Sequence, residues 1–403
     1  MKVCIEKSKL KGRIIVPPSK SMAHRMLICA GLAEGKSIVH NIAFSEDILA
    51  TLDCLCALGA EYKIEGNTII FEKSCGEKMN GKLKLCCRES GSTLRFFIPI
   101  CSVTGMETNL TGSEKLLSRP LSVYEEIFER QKIKFDNNGK EIFLQGRIAA
   151  GRYEIRGDIS SQFISGLLFA LPLLEKDSEI CLLPPVESRS YIDLTLAALK
   201  EFGVEVVWKD ETTLFVRGGQ NYTGRETTVE GDYSNAAFFD ALACLGNEIE
   251  VKGLDEESLQ GDRIYREYFP LLEKEGQVLD LGDCPDLGPV LFALAAAKKG
   301  GTFTGTRRLK IKESDRAVAM KEELSKFGVV VTVKEDSVKI DPVEFHRPTE
   351  VLSGHNDHRI VMALAVILTL TGGEIEGAGA VRKSMPDFFD KIKELGAEVR
   401  LYD

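Results

Sequence analysis

One short phrase recurs along the chain and limits the folds that the chain can adopt. A helical stretch ends in glycine and a strand rich in β-branched residues follows, around Gly59, Gly203, Gly328 and Gly396. Two degenerate copies lie at residues 128–135 and 271–281. Glycine after the last helical turn is the usual left-handed stop of a helix. Six occurrences of the phrase predict six copies of one α/β unit.

A second phrase places a long apolar helix behind a small or acidic residue that can cap it. The caps that this pattern predicts are Ser21, Ser92, Ser161, Ser234, Asp286 and Asp357. Consecutive copies lie about 70 residues apart, with one shorter step of about 50. Any α/β protein contains capped helices and glycine stops, but their repeated occurrence in register favours true repetition.

Six units of this size fit two domains of three units better than a single ring. Polar residues and glycine interrupt the pattern at residues 225–231. We therefore expect a discontinuous domain of residues 1–18 and 229–403 and a second domain of residues 19–228. The N-terminal strand would then belong to the first of these domains, and the linker between the domains would be two-stranded and hinge-like.

Composition excludes several classes of function. The formal net charge of −9 argues against nucleic acid or an acidic membrane as a partner. The longest apolar run, residues 361–370, is half the length of a membrane span, and the N-terminus has no signal-peptide pattern. The eleven cysteines are scattered, without metal-ligand spacing, which predicts reduced thiols. We expect a soluble, cytoplasmic protein.

Cations cluster at the starts of these helices and in the loops beside them. They are Lys20, Arg25, Arg95, Arg119, Lys312, Arg316, Arg359 and Lys383. A helix N-terminus already attracts anions, so a cation there is unfavourable for the helix unless an anionic ligand lies between them. Arginine offers paired donors to carboxylate or phosphate, and lysine offers a point charge. The pattern predicts a ligand with several negative charges.

Three other residues point to the same site. Gly91, between Ser90 and Ser92, allows a ligand to approach the backbone closely. Glu313 lies among cations in the segment KESDR, as a proton-transfer site requires, although a salt-bridged helix start is the alternative. Asp286 follows Pro285, where helix capping alone is an equally good explanation.

Nine sequence blocks together resemble one enzyme family. They are PPSKSMAHR, ESGSTLR, LTGSEKLLSRP, DISSQF, ESRSYID, CPD, KIKESDR, NDHR and RKSMPDFF, which extend from Lys20 to Phe389. In this order they resemble the signature blocks of the 3-phosphoshikimate 1-carboxyvinyltransferases. The resemblance implies two domains, each of three βαβαββ repeats, in the inside-out α/β barrel of the enolpyruvyl transferases. It also implies that the domains close over the substrates.

The resemblance implies a role for each matched residue. Those for shikimate 3-phosphate are Lys20, Ser21, Arg25, Ser160, Ser161, Gln162, Ser188, Tyr191, Asp286 and Lys312. Those for phosphoenolpyruvate are Lys20, Gly91, Arg119, Gln162, Arg316, Arg359 and Lys383. The implied catalytic residues are Asp286, which accepts the proton of the attacking 5-hydroxyl, Glu313, which protonates the methylene carbon, and Lys383 and Lys20. His358 and Arg95 match neighbours of these groups. Neither metal nor cofactor is implied, and we expect a monomer.

The chain departs from the family pattern at three positions. Glu89 and Arg308 stand where other members have asparagine, and Phe96 replaces a common proline. No role is therefore carried over to Glu89 or Arg308. The departures at Glu89 and Phe96 leave the degree of tolerance to the inhibitor glyphosate open.

Two other functions are compatible with parts of the sequence. A UDP-N-acetylglucosamine 1-carboxyvinyltransferase would have a similar fold, but it carries a reactive cysteine in a mobile loop, and TGSEKLLSRPLS contains none. A non-catalytic clamp of α/β repeats around nucleic acid would need a broad basic surface, which the acidic composition does not favour.

Overall fold

The computed structural model describes residues 1–75 and 81–402. The chain divides into two compact units. The first unit comprises Met1–Pro17 and Gly231–Asp403, and the second comprises Pro18–Glu230. Residue 403, which ends the expected first domain, lies outside the described residues.

The described strands are short, mostly of three to six residues. They are β1 Lys2–Ile5, β2 Lys11–Ile15, β3 Ser37–His40, β4 Glu61–Glu65, β5 Thr68–Lys73, β6 Leu83–Cys86, β7 Thr108–Thr111, β8 Lys134–Asn137, β9 Glu141–Gln145, β10 Arg152–Arg156, β11 Ser178–Leu183, β12 Val206–Trp208, β13 Thr213–Val216, β14 Glu226–Thr228, β15 Glu248–Lys252, β16 Val278–Asp280, β17 Gly301–Thr304, β18 Val331–Val333, β19 Ser337–Ile340, β20 Leu352–Ser353, β21 Gly373–Glu376 and β22 Val399–Tyr402.

The helices alternate with these strands. They are α1 Lys20–Leu32, α2 Glu46–Ala57, α3 Gly91–Thr104, α4 Glu114–Leu117, α5 Ser122–Arg130, α6 Ser161–Ala170, α7 Arg189–Glu201, α8 Tyr233–Cys244, α9 Tyr265–Leu271, α10 Gly288–Ala297, α11 Arg316–Ser325, α12 His358–Thr371 and α13 Phe388–Glu394. Short 3₁₀ turns occupy Leu171–Leu173, Gly261–Ile264, Pro285–Leu287, Arg307–Ile311 and Ala378–Lys383.

One sheet pattern recurs in both units. In the order β6-β7-β9-β8, the first two strands are parallel, β9 is antiparallel to β7, and β8 is antiparallel to β9. With α3 and α5 between its strands, this is a βαβαββ repeat. The same order appears in β10-β11-β13-β12, β14-β3-β5-β4, β16-β17-β19-β18 and β20-β21-β1-β22. The repetition read from the sequence is confirmed.

The remaining repeat is shorter. It contains β2 and β15, which pair in parallel over Lys11–Ile15 and Glu248–Lys252, and α8 lies between them in the chain. After α9 the chain enters β16, which already belongs to the next sheet. This repeat therefore lacks the antiparallel hairpin that ends the other repeats, such as β8–β9. This difference explains the one short step, of about 50 residues, in the sequence pattern.

The first helix of each repeat is buried on nearly all sides. Twelve of the fourteen residues of α12 are buried, as are nine of the ten in α10 and nine of the ten in α6. Helices that are apolar all round belong in a core rather than at a surface. In the first unit, α8, α10 and α12 pack against one another, and in the second unit α3 packs on α6.

The structure corrects four of the predicted helix caps by one or two positions. The side chains that accept a first-turn amide hydrogen are those of Ser19, Ser90, Ser160 and Asp232. Ser21, Ser92, Ser161 and Ser234, which the pattern predicted as caps, therefore lie in the first turn. Asp357 does cap α12. Asp286 is not the N-cap of α10, because that position is Leu287; Asp286 lies in a 3₁₀ turn, and its carboxylate accepts from cations.

The glycine stops are confirmed at the four clear copies. Gly59, Gly203, Gly328 and Gly396 all have φ between 80° and 100°, a region that is costly for residues with a side chain. All eleven cysteines are free thiols.

Candidate active site

Asp286 is the centre of a buried charge cluster in the first unit. Its Oδ1 lies 2.7 Å from a terminal nitrogen of Arg316 and 3.1 Å from Lys312 Nζ, and its Oδ2 lies 3.1 Å from Arg359. Burial would raise the pKa of the Asp286 carboxyl, but Arg359, Lys312 and Arg316 outweigh burial and hold this pKa well below its ordinary value. The carboxylate is therefore ionised.

Arg316 joins Asp286 to two more carboxylates. It is the first residue of α11, only 1% exposed, and its guanidinium lies 2.8 Å from Glu313 and 2.9 Å from Asp357. Burial would lower the pKa of Arg316, but Asp357, Glu313 and Asp286 raise this pKa well above its ordinary value. Networks of buried charge are expensive to desolvate and contribute little to stability, which favours a functional explanation.

Lys383 reaches the same region from another element. It ends the 3₁₀ turn Ala378–Lys383, and its Nζ donates to the carbonyl oxygen of Asn356 at 2.8 Å. Asn356 immediately precedes the cap Asp357. His358, the first residue of α12, is buried, and its Nδ1 lies 4.0 Å from Asp357 Oδ1.

In the second unit, two arginines face the start of α3. A Cβ added to Gly91 would lie 2.7 Å from a terminal nitrogen of Arg119 and 3.5 Å from one of Arg95. The Nε of Arg119 is buried and has no hydrogen-bond partner among residues 1–75 and 81–402. A partly buried cation with an unused buried donor beside a helix N-terminus is a suitable anion site.

Gln162 connects the first turns of α3 and α6. Its Oε1 accepts from Arg95 at 2.6 Å, and its Nε2 donates to the Ser92 hydroxyl at 2.9 Å. Ser92 can accept this bond because Ser90, and not Ser92, caps α3. The side chain of Gln162 is thereby fixed next to Gly91.

A tyrosine holds α3 and α6 in register behind these side chains. Pro99 lies inside α3 and has no N–H to donate to the carbonyl of Arg95 four residues earlier. The buried hydroxyl of Tyr124 donates to that carbonyl at 2.6 Å and lies 3.2 Å from the carbonyl of Phe163 in α6. Gly166 makes the close approach possible, because a Cβ there would lie 2.5 Å from the carbonyl oxygen of Arg95.

Arg25 is anchored by neutral protein groups. It donates to the Thr195 hydroxyl at 2.8 Å, to the carbonyls of Ser21 and Tyr191 at 2.6 and 2.9 Å, and to the Ser165 hydroxyl at 3.4 Å. Burial lowers its pKa to about 10. Tyr191 lies in the first turn of α7, whose N-cap residue Ser188 is buried with a φ of 55°. Direct contact of Arg25 with a ligand remains a prediction.

Lys20 has a partner that the sequence interpretation missed. Its Nζ lies 3.0 Å from Asp47 Oδ2, in the first turn of α2, and both side chains are mostly buried.

The other residues that the sequence interpretation missed are Asp357 as a ligand of Arg316, Ser92 as an acceptor for Gln162, and Asp262, whose carboxylate accepts from the Ser234 hydroxyl. Asp357 had a signal, because it precedes His358 and Arg359 in NDHR, but it was read only as a cap.

Within each unit, then, the structure brings most of the predicted site residues together. Asp286, Lys312, Glu313, Arg316 and Arg359 form one cluster in the first unit. In the second unit, Gly91, Arg119 and Gln162 lie around the start of α3. Ser160 caps α6, and Ser161 is the first residue of that helix. The binding role of each residue remains a prediction.

Solved structures share this architecture. An EPSP synthase from Acinetobacter baumannii superposes with a TM-score of 0.80 at 21% identity, and each chain is covered over 100% of its length. The enolpyruvyl transferase NikO from Streptomyces tendae superposes with a TM-score of 0.78 at 14% identity, covering 99% of this chain and 98% of that one. The fold is that of the enolpyruvyl transferases.

Sequence comparison identifies the family. Residues 5–269 and 265–392 match the family model of EPSP synthase (3-phosphoshikimate 1-carboxyvinyltransferase). The 3-phosphoshikimate 1-carboxyvinyltransferase of Clostridium kluyveri is 42% identical over 98% of both chains, and that of Clostridioides difficile is 39% identical over 97% of both. This chain belongs to the EPSP synthase family. Among its described residues, no helix has the length and hydrophobicity that a membrane span requires.

Proposed function

We propose that this protein transfers the enolpyruvyl group of phosphoenolpyruvate to the 5-hydroxyl of shikimate 3-phosphate and releases phosphate. The reaction serves chorismate and aromatic amino acid biosynthesis. The observation that carries the proposal is the carboxylate of Asp286, which is surrounded by Arg316, Lys312 and Arg359. Family membership supplies the substrates, and the site supplies groups for proton transfer and for binding anions.

Substrate binding would convert Asp286 into a better base. In the free protein, three cations hold its pKa low, so it attracts a proton weakly. Phosphate and carboxylate groups of the substrates would neutralise part of that positive charge and raise the pKa of Asp286. A base is most effective when its pKa is near the working pH. The site would therefore accept the proton of the 5-hydroxyl only after the anions have bound.

Shikimate 3-phosphate is assigned mainly to the second unit. Its binding residues there would be Lys20, Ser21, Arg25, Ser160, Ser161, Gln162, Ser188 and Tyr191, joined by Asp286 and Lys312 of the first unit. The support is that α1, α6 and α7 begin at these residues, and the N-terminus of a helix attracts phosphate.

Phosphoenolpyruvate is assigned to cations of both units. They are Lys20 and Arg119, with Gly91 and Gln162, and Arg316, Arg359 and Lys383. Arg119 has an unused buried donor for it. Arg316 already donates to three carboxylates through four of its five N–H groups, so one N–H of its guanidinium is left for the substrate.

The steps then follow from these groups. The 5-hydroxyl oxygen attacks C2 of phosphoenolpyruvate, its proton passes to Asp286, and Glu313 protonates C3 with the help of Lys383. The adduct carries carboxylate and phosphate on one carbon, which the cations stabilise. Glu313 then takes a proton back from C3, and the bond to the phosphate oxygen breaks, which restores the double bond. Phosphate leaves with the proton that Asp286 had accepted. The protein forms no covalent bond to either substrate.

A phosphate-release assay tests the proposal. Phosphoenolpyruvate is supplied with shikimate 3-phosphate or with UDP-N-acetylglucosamine as the acceptor, and release is expected with the first alone. Release with the second alone would contradict the assignment. The second acceptor is disfavoured because the segment TGSEKLLSRPLS, residues 111–122, has no cysteine. We also infer a cytoplasmic monomer, which light scattering and cell fractionation would check.

A further inference from the structure

The loop before α12 has an unusual backbone. His355 and Asn356 are consecutive, are not glycine, and have φ values of 48° and 52°. Such left-handed residues are energetically costly and persist only where their surroundings hold them. The carbonyl of Asn356 accepts from Lys383, and the next residue, Asp357, accepts from Arg316. This strained turn therefore fixes the positions of the Asn356 carbonyl and the Asp357 carboxylate, which bind Lys383 and Arg316.

A buried glutamate holds the turn. Glu323 is 1% exposed, and its Oε1 accepts from His355 Nε2 at 2.8 Å. Its Oε2 accepts from the backbone amide of Ser353 at 2.8 Å and from Lys326 Nζ at 2.8 Å. Burial would raise the pKa of the Glu323 carboxyl, but the hydrogen bonds from His355, Lys326 and Ser353 hold this pKa below its ordinary value. The Glu323 carboxylate is therefore ionised, and both of its oxygens are hydrogen bonded.

The same helix contacts the loop at both of its ends. Arg316 begins α11 and pairs with Asp357, and Glu323 lies two turns later and pairs with Ser353 and His355. An α-helix is stiff over two turns, so α11 fixes the distance between the two attachments. A shift at the Glu323 end would move Asn356 and Asp357 relative to Arg316.

We propose that Glu323 is a positioning residue for the reaction. Through His355 and the Ser353 amide it holds the left-handed turn, and the turn places the Asn356 carbonyl and the Asp357 carboxylate against Lys383 and Arg316. The proposal rests on the proposed function, in which Lys383 and Arg316 bind phosphoenolpyruvate.

A divalent cation is the other occupant that this cluster suggests. Ligand atoms of Glu322, Glu323 and His355 lie within 4.8 Å of one another. Both oxygens of Glu323 are already hydrogen bonded, one of them to the ammonium group of Lys326, which would repel a metal ion. The hydrogen-bonded clamp therefore explains the cluster better.

The test compares Glu323→Gln and His355→Gln with the wild type. We expect kcat/KM for phosphoenolpyruvate to fall about 10- to 100-fold in Glu323→Gln, because misplacement by 1 Å can cost about 100-fold. The dissociation constant of shikimate 3-phosphate, measured by calorimetry, should change less than threefold. His355→Gln keeps a donor and should be milder than His355→Ala. An unchanged kcat/KM in folded Glu323→Gln, or in folded His355→Ala if the first does not fold, would refute the clamp.

The chain provides a matched control. His40 and Glu226 form a histidine–glutamate pair of the same 2.8 Å length, but the pair is exposed and lies in the second unit. Glu226→Gln should leave all constants unchanged. Activity that is lost in EDTA, is restored by Zn²⁺ and depends on Glu322 would overturn the clamp in favour of a metal site.

A structural measurement separates this inference from the proposed function. If the wild type releases no phosphate with shikimate 3-phosphate, the function fails. A crystal structure of Glu323→Gln would still test the clamp. We expect residues 355 and 356 to leave the left-handed region and the bond between Lys383 and Asn356 to be lost, and an unchanged loop would overturn the proposal.

Discussion

The two units use arginine in different ways. In the first unit, Arg316 is bound by three carboxylates, those of Asp286, Glu313 and Asp357. In the second unit, Arg25 donates only to hydroxyl and carbonyl oxygens, and Arg119 forms no ion pair with a described residue. Both sets of cations stand near helix starts, but only the first is neutralised by acids.

We infer that this difference suits the two units to different chemistry. A cation held by neutral acceptors keeps its full charge for an anionic ligand, so the second unit is suited to binding phosphate. The charge of a cation held by carboxylates is largely neutralised, but the cation lowers the pKa of the acids around it. The first unit is therefore suited to proton transfer, in addition to the contacts with phosphoenolpyruvate proposed for Arg316, Arg359 and Lys383. Lys20, paired with Asp47, is an exception within the second unit.

The largest expected effect is that of Asp286→Asn. Loss of the general base should lower kcat about 10²- to 10⁴-fold, because proton transfer by a positioned side chain contributes this much. The measurement is steady-state phosphate release, and the control is Asp280→Asn, an exposed aspartate six residues earlier. If kcat survives and only KM rises, the acids of the first unit merely hold cations, and the comparison between the units fails.

The next effect is that of Arg119→Ala. A charged hydrogen bond in a desolvated site contributes about 2–5 kcal/mol, so kcat/KM for phosphoenolpyruvate should fall roughly 30-fold or more. Lys20→Ala should act in the same direction. Lys115→Ala removes an exposed cation from the neighbouring helix α4 and is the control. A folded Arg119→Ala protein with near-normal kcat/KM would mean that Arg119 does not bind phosphoenolpyruvate, although no acid neutralises its charge.

A smaller and selective effect is expected for Gly91→Ala. The new methyl group would lie 2.7 Å from a terminal nitrogen of Arg119. The flexible guanidinium can move away, but it would then leave its position beside residue 91. Glyphosate, which in this family occupies the phosphoenolpyruvate site, should be affected more than the substrate, by about 1–3 kcal/mol. The inhibition constant and the KM are measured for both proteins. Equal shifts in the two constants would show that Gly91 does not line this site.

The sequence contained the repeat pattern and the cation positions but not their partners. The glycine stops were read correctly because left-handed φ is a local requirement. The caps were misplaced because each start has two candidates, such as Ser19 and Ser21 or Ser90 and Ser92, and the earlier one caps. The later serine is then free to act in tertiary structure, as Ser92 does with Gln162.

The partners of the cations could not be predicted for a physical reason. Asp47 lies 27 residues from Lys20, and His355 lies 32 residues from Glu323. These pairs form only when separate elements pack together, and neither has a periodic signal in the sequence. Asp286 and Glu313 were found because they match family blocks, and the structure adds that Arg316 joins them.

The smallest expected effect concerns the cost of concentrating acids in the first unit. Asp262 is buried, and burial together with repulsion from Asp286 raises its pKa to about 6, although Arg359 and the Ser234 hydroxyl oppose this. A carboxyl with a raised pKa stabilises the fold at low pH, and this stability is lost as the pH rises from about 4 through 6. Asp262→Asn removes the loss, because the amide does not ionise and still accepts from Ser234. The difference in Tm between the variant and the wild type should therefore increase by a few degrees between pH 4 and 7 and then stay constant. The control is the exposed Asp255 of the same unit, replaced by asparagine. If the Tm difference for Asp262→Asn does not change with pH, repulsion between Asp262 and Asp286 does not lower the stability. The two units would then differ only in the groups that bind their arginines.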